Sequence, residues 1–338
     1  MQVPSPLMSR FLALFLAAVT SASALDLRLP TDNGALLVGD GAGYFQFVDR
    51  DFEGVKSTPW EGGQFGFVRD ARRVGQRIAF ARFHEGMDVK PTQRDAKGNP
   101  LDDIHPILPG TVVYVTASAG QSNYGRYIVV QHDLTEGAFF SLYAHLASSN
   151  VTVGDKVTHS SVLGRMGYTG SGIDQRRAHL HVELNLLLNP EFEAWHASHF
   201  RSPNHHGPYN GMNLLGVDLQ ALYKAHQKNP AITLSEFIRG NEAWFELTVP
   251  ATAKMDFIKR YPWLRDVPTG PVNAWKIRCT RWGLPVSVRA ADQAVQKPVV
   301  SWVKDDPIPH YYNTRGLVSN SGQITVSGLQ FAQLMIGL

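Results

Sequence analysis

The segment Arg177-Ala-His179-Leu-His181-Val-Glu183 places two histidines two residues apart and a carboxylate two residues further on. In a β-strand, residues i and i+2 project from the same face, so both imidazoles can reach one ion or one water molecule. The pattern therefore predicts a strand that carries a binding site on one face. Glu183 extends this face, either as an acceptor that orients a histidine or as a surface carboxylate.

A second segment, His84-Glu-Gly-Met-Asp88, carries another imidazole and another carboxylate. The glycine at its centre argues against a helix, so we expect the pair to lie where a loop enters a strand. Two imidazoles and one carboxylate suit zinc and leave a fourth position open, as in catalytic zinc sites. Taken singly, each histidine also fits loop capping or a hydrogen bond within a strand. Glu85 does not complete a zincin motif, which needs histidines at i and i+4 on a helix.

Short runs rich in β-branched and aromatic residues lie between and after these two motifs, and glycine-containing turns separate them. Many strands at short, regular spacing predict an antiparallel β-sheet domain. The predicted strands are residues 110–116, 127–131, 139–146, 162–166 and 179–184. A polar insertion at residues 92–109 follows the first motif, and we expect it to form a wall beside the site.

Two further regions flank this β domain, which we place at residues 76–190. Residues 25–75 are rich in glycine and aromatics and predict an arm or lid, or alternatively an independent pair of binding strands. Residues 191–338 have mixed α+β character, an unknown fold and an unknown role. Neither flank has internal repeats or low-complexity segments.

Within the C-terminal extension, Thr233 and Glu236 predict a capping box at the start of a helix. A preceding helix is predicted from an apolar face formed by Leu215, Leu219, Leu222 and Tyr223. Four histidines also cluster here, either as a second metal site or simply as residues of a loop: His196, His199, His205 and His206.

The N-terminus predicts export. Arg10 precedes the apolar run 11–19, which is followed by a small-x-small pattern ending at Ala24, so residues 1–24 are expected to be a cleaved signal peptide. The run is too short to span a bilayer, so we expect no transmembrane anchor. Cys279 is the single cysteine, which excludes an internal disulfide. Together these features favour a periplasmic or extracellular protein associated with a bacterial envelope.

The composition sets wider limits. The chain has 338 residues, 43% of them hydrophobic, which is enough for a well-buried core and about two domains. Its formal net charge of +3 is compatible with an anionic polymer as partner without requiring one. We find no dense stripe of lysine and arginine, so nucleic acid is not an expected partner. The oligomeric state is not indicated.

Together the two motifs resemble the zinc signature of the lysostaphin/LytM-type metallopeptidases, which are peptidoglycan endopeptidases. Segments at residues 110–113, 122–125, 143–146, 153–157 and 167–170 also occur in the order of that family. The resemblance implies a mainly β catalytic domain, a compact antiparallel sheet with a groove. It also implies one Zn²⁺ per chain with His84, Asp88 and His181 as ligands, and His145 and His179 as the catalytic histidines.

The function implied by the resemblance is an exported zinc metalloendopeptidase that hydrolyses peptide cross-links or stems of peptidoglycan. His145, expected on a neighbouring strand, and His179 would share the roles of base and oxyanion donor, and the sequence does not divide these roles. Tyr143 is expected either to line the cleft or to pack as an aromatic, and Asn123 to contact substrate. The insertion at 92–109 and Asp174-Gln-Arg-Arg177 depart from the family pattern and leave the substrate bond open.

Two alternatives belong to other classes. The protein could be a catalytically silent module that binds wall or activates another hydrolase, although such relatives typically lack a ligand, and all three ligands are present here. It could also be a zinc peptidase that acts on protein.

Overall fold

The computed structural model describes residues 24–268 and 270–337. The predicted signal peptide, apart from Ala24, lies outside the described residues. Among the helices of the described part, none is both long and apolar enough to cross a membrane.

The N-terminal segment contains a short α-helix, two 3-10 helices (Ala35–Val38 and Pro59–Gly63) and a long β-hairpin. The helix α1 covers Gly41–Tyr44, and the hairpin is formed by β1 (Gly66–Val74) and β2 (Arg77–His84), which pair antiparallel. Since β2 ends at His84, the hairpin joins the predicted arm directly to the first metal-site motif.

The central region is built on an antiparallel sheet of seven strands. Its order is β12-β11-β7-β6-β5-β9, and β3 pairs with the first half of β11. A smaller sheet has the order β4-β10-β8. The mainly antiparallel β architecture predicted for this region is confirmed. The elements are β3 (Met87–Val89), β4 (Asp103–Ile104), β5 (Gly110–Thr116), β6 (Tyr127–Leu134), β7 (Gly137–Ala144), β8 (Ser148–Ser149), β9 (Lys156–Val157), β10 (Gly164–Arg165), β11 (Leu180–Leu187), α2 (Phe192–His199) and β12 (Leu214–Gly216).

The seven-stranded sheet has two faces because successive side chains alternate along each strand. One face, here called the core face, packs into the main hydrophobic cluster of the molecule with Ile128, Val130, Tyr143, Val182 and Leu184. The opposite face, here called the groove face, has a smaller apolar cluster with Tyr127, Val129, Leu142, Ala144 and Leu187. The odd-numbered residues of β11, including His181, therefore point to the groove face.

The C-terminal extension adds helices and a second antiparallel sheet with the order β15-β14-β13-β16. The α+β character predicted for this extension is confirmed. Its elements are α3 (Leu219–Lys228), α4 (Leu234–Arg239), β13 (Phe245–Pro250), α5 (Asp256–Arg260), β14 (Ala274–Cys279), β15 (Pro285–Ala291), β16 (Val299–Val303), α6 (His310–Asn313) and α7 (Val326–Ile336).

One predicted helix begins later than its apolar pattern indicates. Leu215 lies in β12, opposite Leu186, whereas α3 begins at Leu219 after Asp218, whose side chain accepts a hydrogen bond from Ala221 N–H at 2.8 Å. The prediction for Leu215 is wrong because pairing with β11 satisfies its backbone outside a helix. The capping box of Thr233 and Glu236 at the start of α4 is confirmed.

The C-terminal extension packs directly on the central sheet. The Tyr261 hydroxyl accepts from Leu187 N–H at 3.0 Å and donates to Ala138 O at 2.8 Å, and Trp263 Nε1 donates to Glu136 O at 2.7 Å. Buried apolar residues of both regions belong to one continuous cluster. The free thiol of Cys279 is buried within it.

Candidate metal centre and groove

Three side chains from three strands meet on the groove face. His84 ends β2, Asp88 lies in β3 and His181 lies in β11. Asp88 Oδ1 is 3.1 Å from His84 Nε2 and 3.0 Å from His181 Nδ1, and the two ring nitrogens are 3.1 Å apart. The described residues contain this one group of histidine, cysteine and acidic side chains with the spacing of a metal site.

Strand pairing explains why these residues meet. Asp88 is directly opposite His181 in the β3–β11 ladder. Gly86 makes the close approach possible, because a Cβ atom at this position would lie 2.5 Å from Val182 O. The glycine between His84 and Asp88 therefore has a packing role as well as a conformational one.

Each of the two imidazoles has a hydrogen-bond acceptor behind it. His84 Nδ1 donates to Gln64 O at 2.7 Å, and His181 Nε2 donates to Glu183 Oε1 at 2.8 Å. Because a carbonyl or carboxylate oxygen only accepts, these bonds direct the other nitrogen of each ring to the common centre. Metal-binding histidines usually show this arrangement.

Glu183 belongs to a buried hydrogen-bond network. Its side chain is 1% exposed, accepts from the Tyr124 hydroxyl at 2.7 Å and from Asn185 Nδ2 at 2.9 Å, and faces His181. Burial raises its pKa, but the hydrogen bond and the charge of His181 outweigh this effect and lower the pKa. Of the two roles considered for Glu183, the surface carboxylate is therefore excluded.

An arginine of the N-terminal arm completes the surroundings of Asp88, and the sequence pattern did not indicate it. Arg69 of β1 forms an ion pair with Asp88 Oδ2 and donates from Nε to Gly62 O at 2.9 Å. The backbone of the arm also contributes, because Gln46 N–H donates to Asp88 O at 2.8 Å. The register that places Arg69 here includes an irregularity between Phe67 and Arg69, which no local spacing reveals.

The electrostatics of the centre follow from burial and these contacts. Burial raises the pKa of Asp88, but the charges of His84, His179 and Arg69 outweigh it and hold the pKa well below its usual value. Burial lowers the pKa of His181, whereas hydrogen bonds to Asp88 and Glu183 raise it to about 9 overall. The centre thus places the His181 imidazole between two carboxylates, and a metal ion bound at Nδ1 would replace a proton there.

His145 and His179 lie next to this centre. Their ring centroids are 4.8 Å apart, and His179 Nε2 is 3.4 Å from Asp88 Oδ1. His145 Nδ1 donates to Thr169 O at 2.9 Å and His179 Nδ1 donates to Arg177 O at 2.7 Å. Each imidazole therefore presents its Nε2 on the side away from this bond.

His145 does not lie on a strand, contrary to the prediction. β7 ends at Ala144, and His145 has a left-handed backbone with φ 64°. Its N–H donates to Tyr124 O at 2.9 Å, which fixes this turn. Strict alternation along β7 would place residue 145 on the core face, so the change of conformation brings the imidazole to the groove. Burial, followed by the charges of His179 and His181, lowers the pKa of His145 well below its usual value.

The two other predicted cleft residues differ in location. Asn123 lines the groove. Tyr143 does not, because its position in β7 points its ring to the core face, where it is fully buried and its hydroxyl accepts from Ile107 N–H at 2.7 Å. The cleft role considered for Tyr143 is therefore wrong, and the packed aromatic is correct.

The groove around the centre has a volume of about 1710 Å³. Arm residues Val48 and Arg72 form part of one wall, and the C-terminal extension contributes Tyr311, Tyr312 and Arg315. The loop after α2 also borders the groove with residues that include Asn204, His206 and Met212. Sequence patterns did not indicate that the C-terminal extension would reach the site.

The insertion at residues 92–109 does not line the groove, contrary to the prediction. The insertion instead contacts a neighbouring segment. Arg94 donates to Gln175 O at 2.8 Å, and Asn99 Oδ1 accepts from Gln175 Nε2 at 2.7 Å. These bonds hold the segment that leads into Arg177, which does line the groove.

Comparison with known proteins agrees with this site. Residues 82–190 match the model of Peptidase family M23. The matched segment is about a third of the chain and contains Asp88 and the four histidines His84, His145, His179 and His181. No curated protein matches the chain significantly.

Several solved structures are similar to part of the chain. The catalytic domain of a variant of a prophage-encoded M23 protein from Enterococcus faecalis is 21% identical over 41% of this chain and 86% of its own, with a TM-score of 0.26. A zinc-containing peptidase from Vibrio cholerae is 20% identical over 48% of this chain and 37% of its own, with a TM-score of 0.29. The catalytic domain of lysostaphin from Staphylococcus simulans is 21% identical over 42% of this chain and 80% of its own, with a TM-score of 0.27.

The family match covers both segments that supply the metal-site residues. His84 and Asp88 lie near its beginning and His181 near its end, and strand pairing brings them within hydrogen-bond distance of one another. Residues 82–190 of this chain therefore match Peptidase family M23, and this match indicates a metallopeptidase domain.

Proposed function

We propose that the protein is an exported zinc metalloendopeptidase that hydrolyses peptide cross-links or stems of bacterial peptidoglycan. The observation that carries this proposal is the convergence of His84 Nε2, Asp88 Oδ1 and His181 Nδ1 within 3.1 Å of one another at the floor of a large groove.

The donor set fits zinc. Bonds of about 2.0–2.2 Å in tetrahedral geometry place the ligand atoms about 3.3 Å apart, close to the separations of these three atoms. Two imidazoles and one carboxylate leave a fourth position, which is the composition of a catalytic site. A bound zinc ion would supply an acidified water and polarise the scissile carbonyl group.

His145 and His179 would move the protons. Both imidazoles donate from Nδ1 to a backbone carbonyl, so Nε2 can accept a proton from the attacking water and later give it to the leaving amine. The pKa of His145 is lowered well below its usual value by burial and by the neighbouring histidines, so this ring is neutral near pH 7. The imidazole that does not act as base is placed to stabilise the developing oxyanion as a donor.

The surrounding groove supports an extended substrate. It is lined by polar and aromatic side chains from three regions, among them Asn123, which we propose contacts the peptide backbone of the substrate. Cleavage of peptidoglycan also requires export. The signal-peptide pattern of residues 1–24 supports export.

The test is digestion of purified sacculi with purified protein, followed by mass spectrometry of the released muropeptides. We expect products that differ by hydrolysis of one peptide bond, full loss of these products after chelation, and recovery with zinc. His181→Ala should abolish product release, whereas His199→Ala, which removes a histidine of α2 outside the groove, should not.

The same experiment separates the alternatives. No released muropeptide together with little bound zinc would support a silent wall-binding module, whereas near one zinc per chain would disfavour it. Cleavage of casein without cleavage of sacculi would support a peptidase that acts on protein. Unchanged muropeptide release after chelation would refute the zinc mechanism.

A further inference from the structure

The groove has more cationic than anionic side chains. Eight charged residues line it apart from the histidines: Arg69, Arg72, Arg82, Arg177 and Arg315, and Asp70, Glu85 and Asp88. Each of the three carboxylates has its own arginine. The pairs are Arg69 with Asp88, Arg72 with Asp70 at 2.9 Å, and Arg315 with Glu85 at 3.1 Å.

This pairing leaves Arg82 and Arg177 without an acidic partner among the described residues. The groove therefore carries two guanidinium groups whose charge is not balanced by the protein. A cationic cleft with low-dielectric walls attracts anionic ligands.

Arg177 is held next to the candidate catalytic histidines. Its carbonyl oxygen accepts from His179 Nδ1 at 2.7 Å, and its N–H donates to Asp174 Oδ1 at 2.9 Å. Its guanidinium Nε is buried and has no hydrogen-bond partner in the protein. A buried donor without an acceptor is costly, and an acceptor on a ligand would remove this cost.

Arg82 lies two residues before His84 on β2, directly opposite Arg69 of β1. Like charges in directly opposed positions destabilise a strand pair. Asp88 neutralises Arg69, whereas Arg82 has no such partner and is exposed at the groove. The second unbalanced charge therefore borders the strand that ends at the metal centre.

We infer that Arg177 is a binding site for a carboxylate of the substrate, in a groove to which Arg82 adds a second unbalanced positive charge. This inference deepens the proposed function, on which it rests. The preferred substrate is then a peptide that carries a free carboxylate on a residue beside the scissile bond, rather than a bridge of neutral residues. The planar guanidinium group can bind a carboxylate through two parallel hydrogen bonds, which a carboxamide cannot match.

The test uses two synthetic cross-linked peptides that are identical except that one has a free carboxylate, and the other a carboxamide, on the residue beside the scissile bond. For the unmodified protein we expect a kcat/KM ratio of about 10–100 in favour of the free acid, since hydrogen bonds to charged groups have this strength. Arg177→Gln should bring the ratio close to one, mainly through KM, and Arg177→Lys should restore part of it.

Arg176→Gln is the matched control, because this neighbouring arginine is exposed and does not line the groove. It should leave the ratio unchanged. Calorimetric binding of the two peptides provides a second readout that does not need turnover, and zinc content with circular dichroism shows that each variant is folded.

The outcomes are distinct. Equal binding and equal cleavage of the acid and the amide, or a ratio that Arg177→Gln leaves intact, would overturn the carboxylate site while leaving the peptidase proposal standing. Preferential binding of the acid without cleavage of either peptide or of sacculi would support the carboxylate site and refute the peptidase.

Discussion

The two faces of β11 are equally buried and chemically opposite. On the core face, Leu180, Val182, Leu184 and Leu186 are each 1% exposed or less. On the groove face, His181 is 6% exposed, Glu183 is 1% exposed and Asn185 is fully buried. One strand therefore contributes in alternate positions to the hydrophobic core and to the candidate metal centre.

The difference shows that burial has opposite consequences on the two faces. Removing apolar side chains from water stabilises the fold by about 25 cal/mol per Å². Removing ionisable side chains from water destabilises it unless each one is paired. On the groove face, a continuous chain of hydrogen bonds pairs these groups and runs through Tyr124, Glu183, His181 and Asp88. The same hydrogen bonds hold the nitrogen and oxygen atoms in positions where they can bind a cation.

The largest effect on stability is expected from the core face. Leu184→Ala should lower the free energy of unfolding by about 3 kcal/mol, because it leaves a cavity in the central cluster. Zinc content per folded chain should not change. Denaturant unfolding with metal analysis measures both quantities, and Val153→Ala, at a site that is 63% exposed, is the control with an expected change under about 0.5 kcal/mol. Loss of zinc in folded Leu184→Ala protein would contradict the expectation that packing on the core face does not affect metal binding on the groove face.

A histidine on the core face should make stability depend on pH. Burial lowers the pKa of His132 to about 4, although its Nδ1 donates to Pro109 O at 2.9 Å. The unfolded chain takes up a proton below about pH 6.5 and the folded chain only near pH 4. The stability contribution is therefore complete above about 6.5 and is lost as the pH falls to about 4, with a total on the order of 3 kcal/mol.

His132→Asn tests this expectation, because its amide can still donate to Pro109 O but does not titrate. Unfolding free energies measured from pH 7 to pH 4 should fall less steeply in the variant than in the unmodified protein. Parallel curves would show that His132 does not account for the acid sensitivity of the core face.

On the groove face, Glu183→Gln should weaken zinc binding by about 10–100-fold, because the charge that orients and polarises His181 is lost. Competition with a chromophoric chelator measures this affinity. Glu191→Gln, an exposed carboxylate outside the groove, should have no effect. An unchanged affinity in Glu183→Gln would mean that the network is only structural.

The smallest effect is expected from Tyr124→Phe, which removes a single hydrogen bond to Glu183. We expect a loss of zinc affinity below about 10-fold and a loss of about 1 kcal/mol in stability. The same chelator competition applies. A larger loss of zinc affinity in Tyr124→Phe than in Glu183→Gln would contradict the expectation that Glu183 contributes more to zinc binding than Tyr124 does.

The central strands and the grouping of the site residues were predictable from local pattern. Each signal depends on only a few neighbouring residues. The signals are the alternation at His179-x-His181, the glycine in the first motif and the runs of β-branched residues. The structure accordingly brings His84, Asp88 and His181 together and places His145 and His179 beside them.

The errors occur where an interaction from outside the local segment decides the conformation. The left-handed turn at His145 depends on a hydrogen bond to Tyr124 O, and the strand assignment of Leu215 depends on pairing with Leu186. The cleft position expected for Tyr143 depends on a strand period shared with His145, and this period is interrupted because β7 ends at Ala144.

Local pattern thus indicated the candidate site residues and that His179 and His181 share a sheet face, because a period of two is a property of each strand alone. Tertiary structure decided what surrounds them. Three features involve residues that are not neighbours in the sequence. They are the ion pair of Arg69 with Asp88, the hydrogen bond from His84 to Gln64 O, and the groove wall that includes Tyr311 and Tyr312. Such contacts depend on strand register and on the packing of whole elements, which spacing within one segment does not specify.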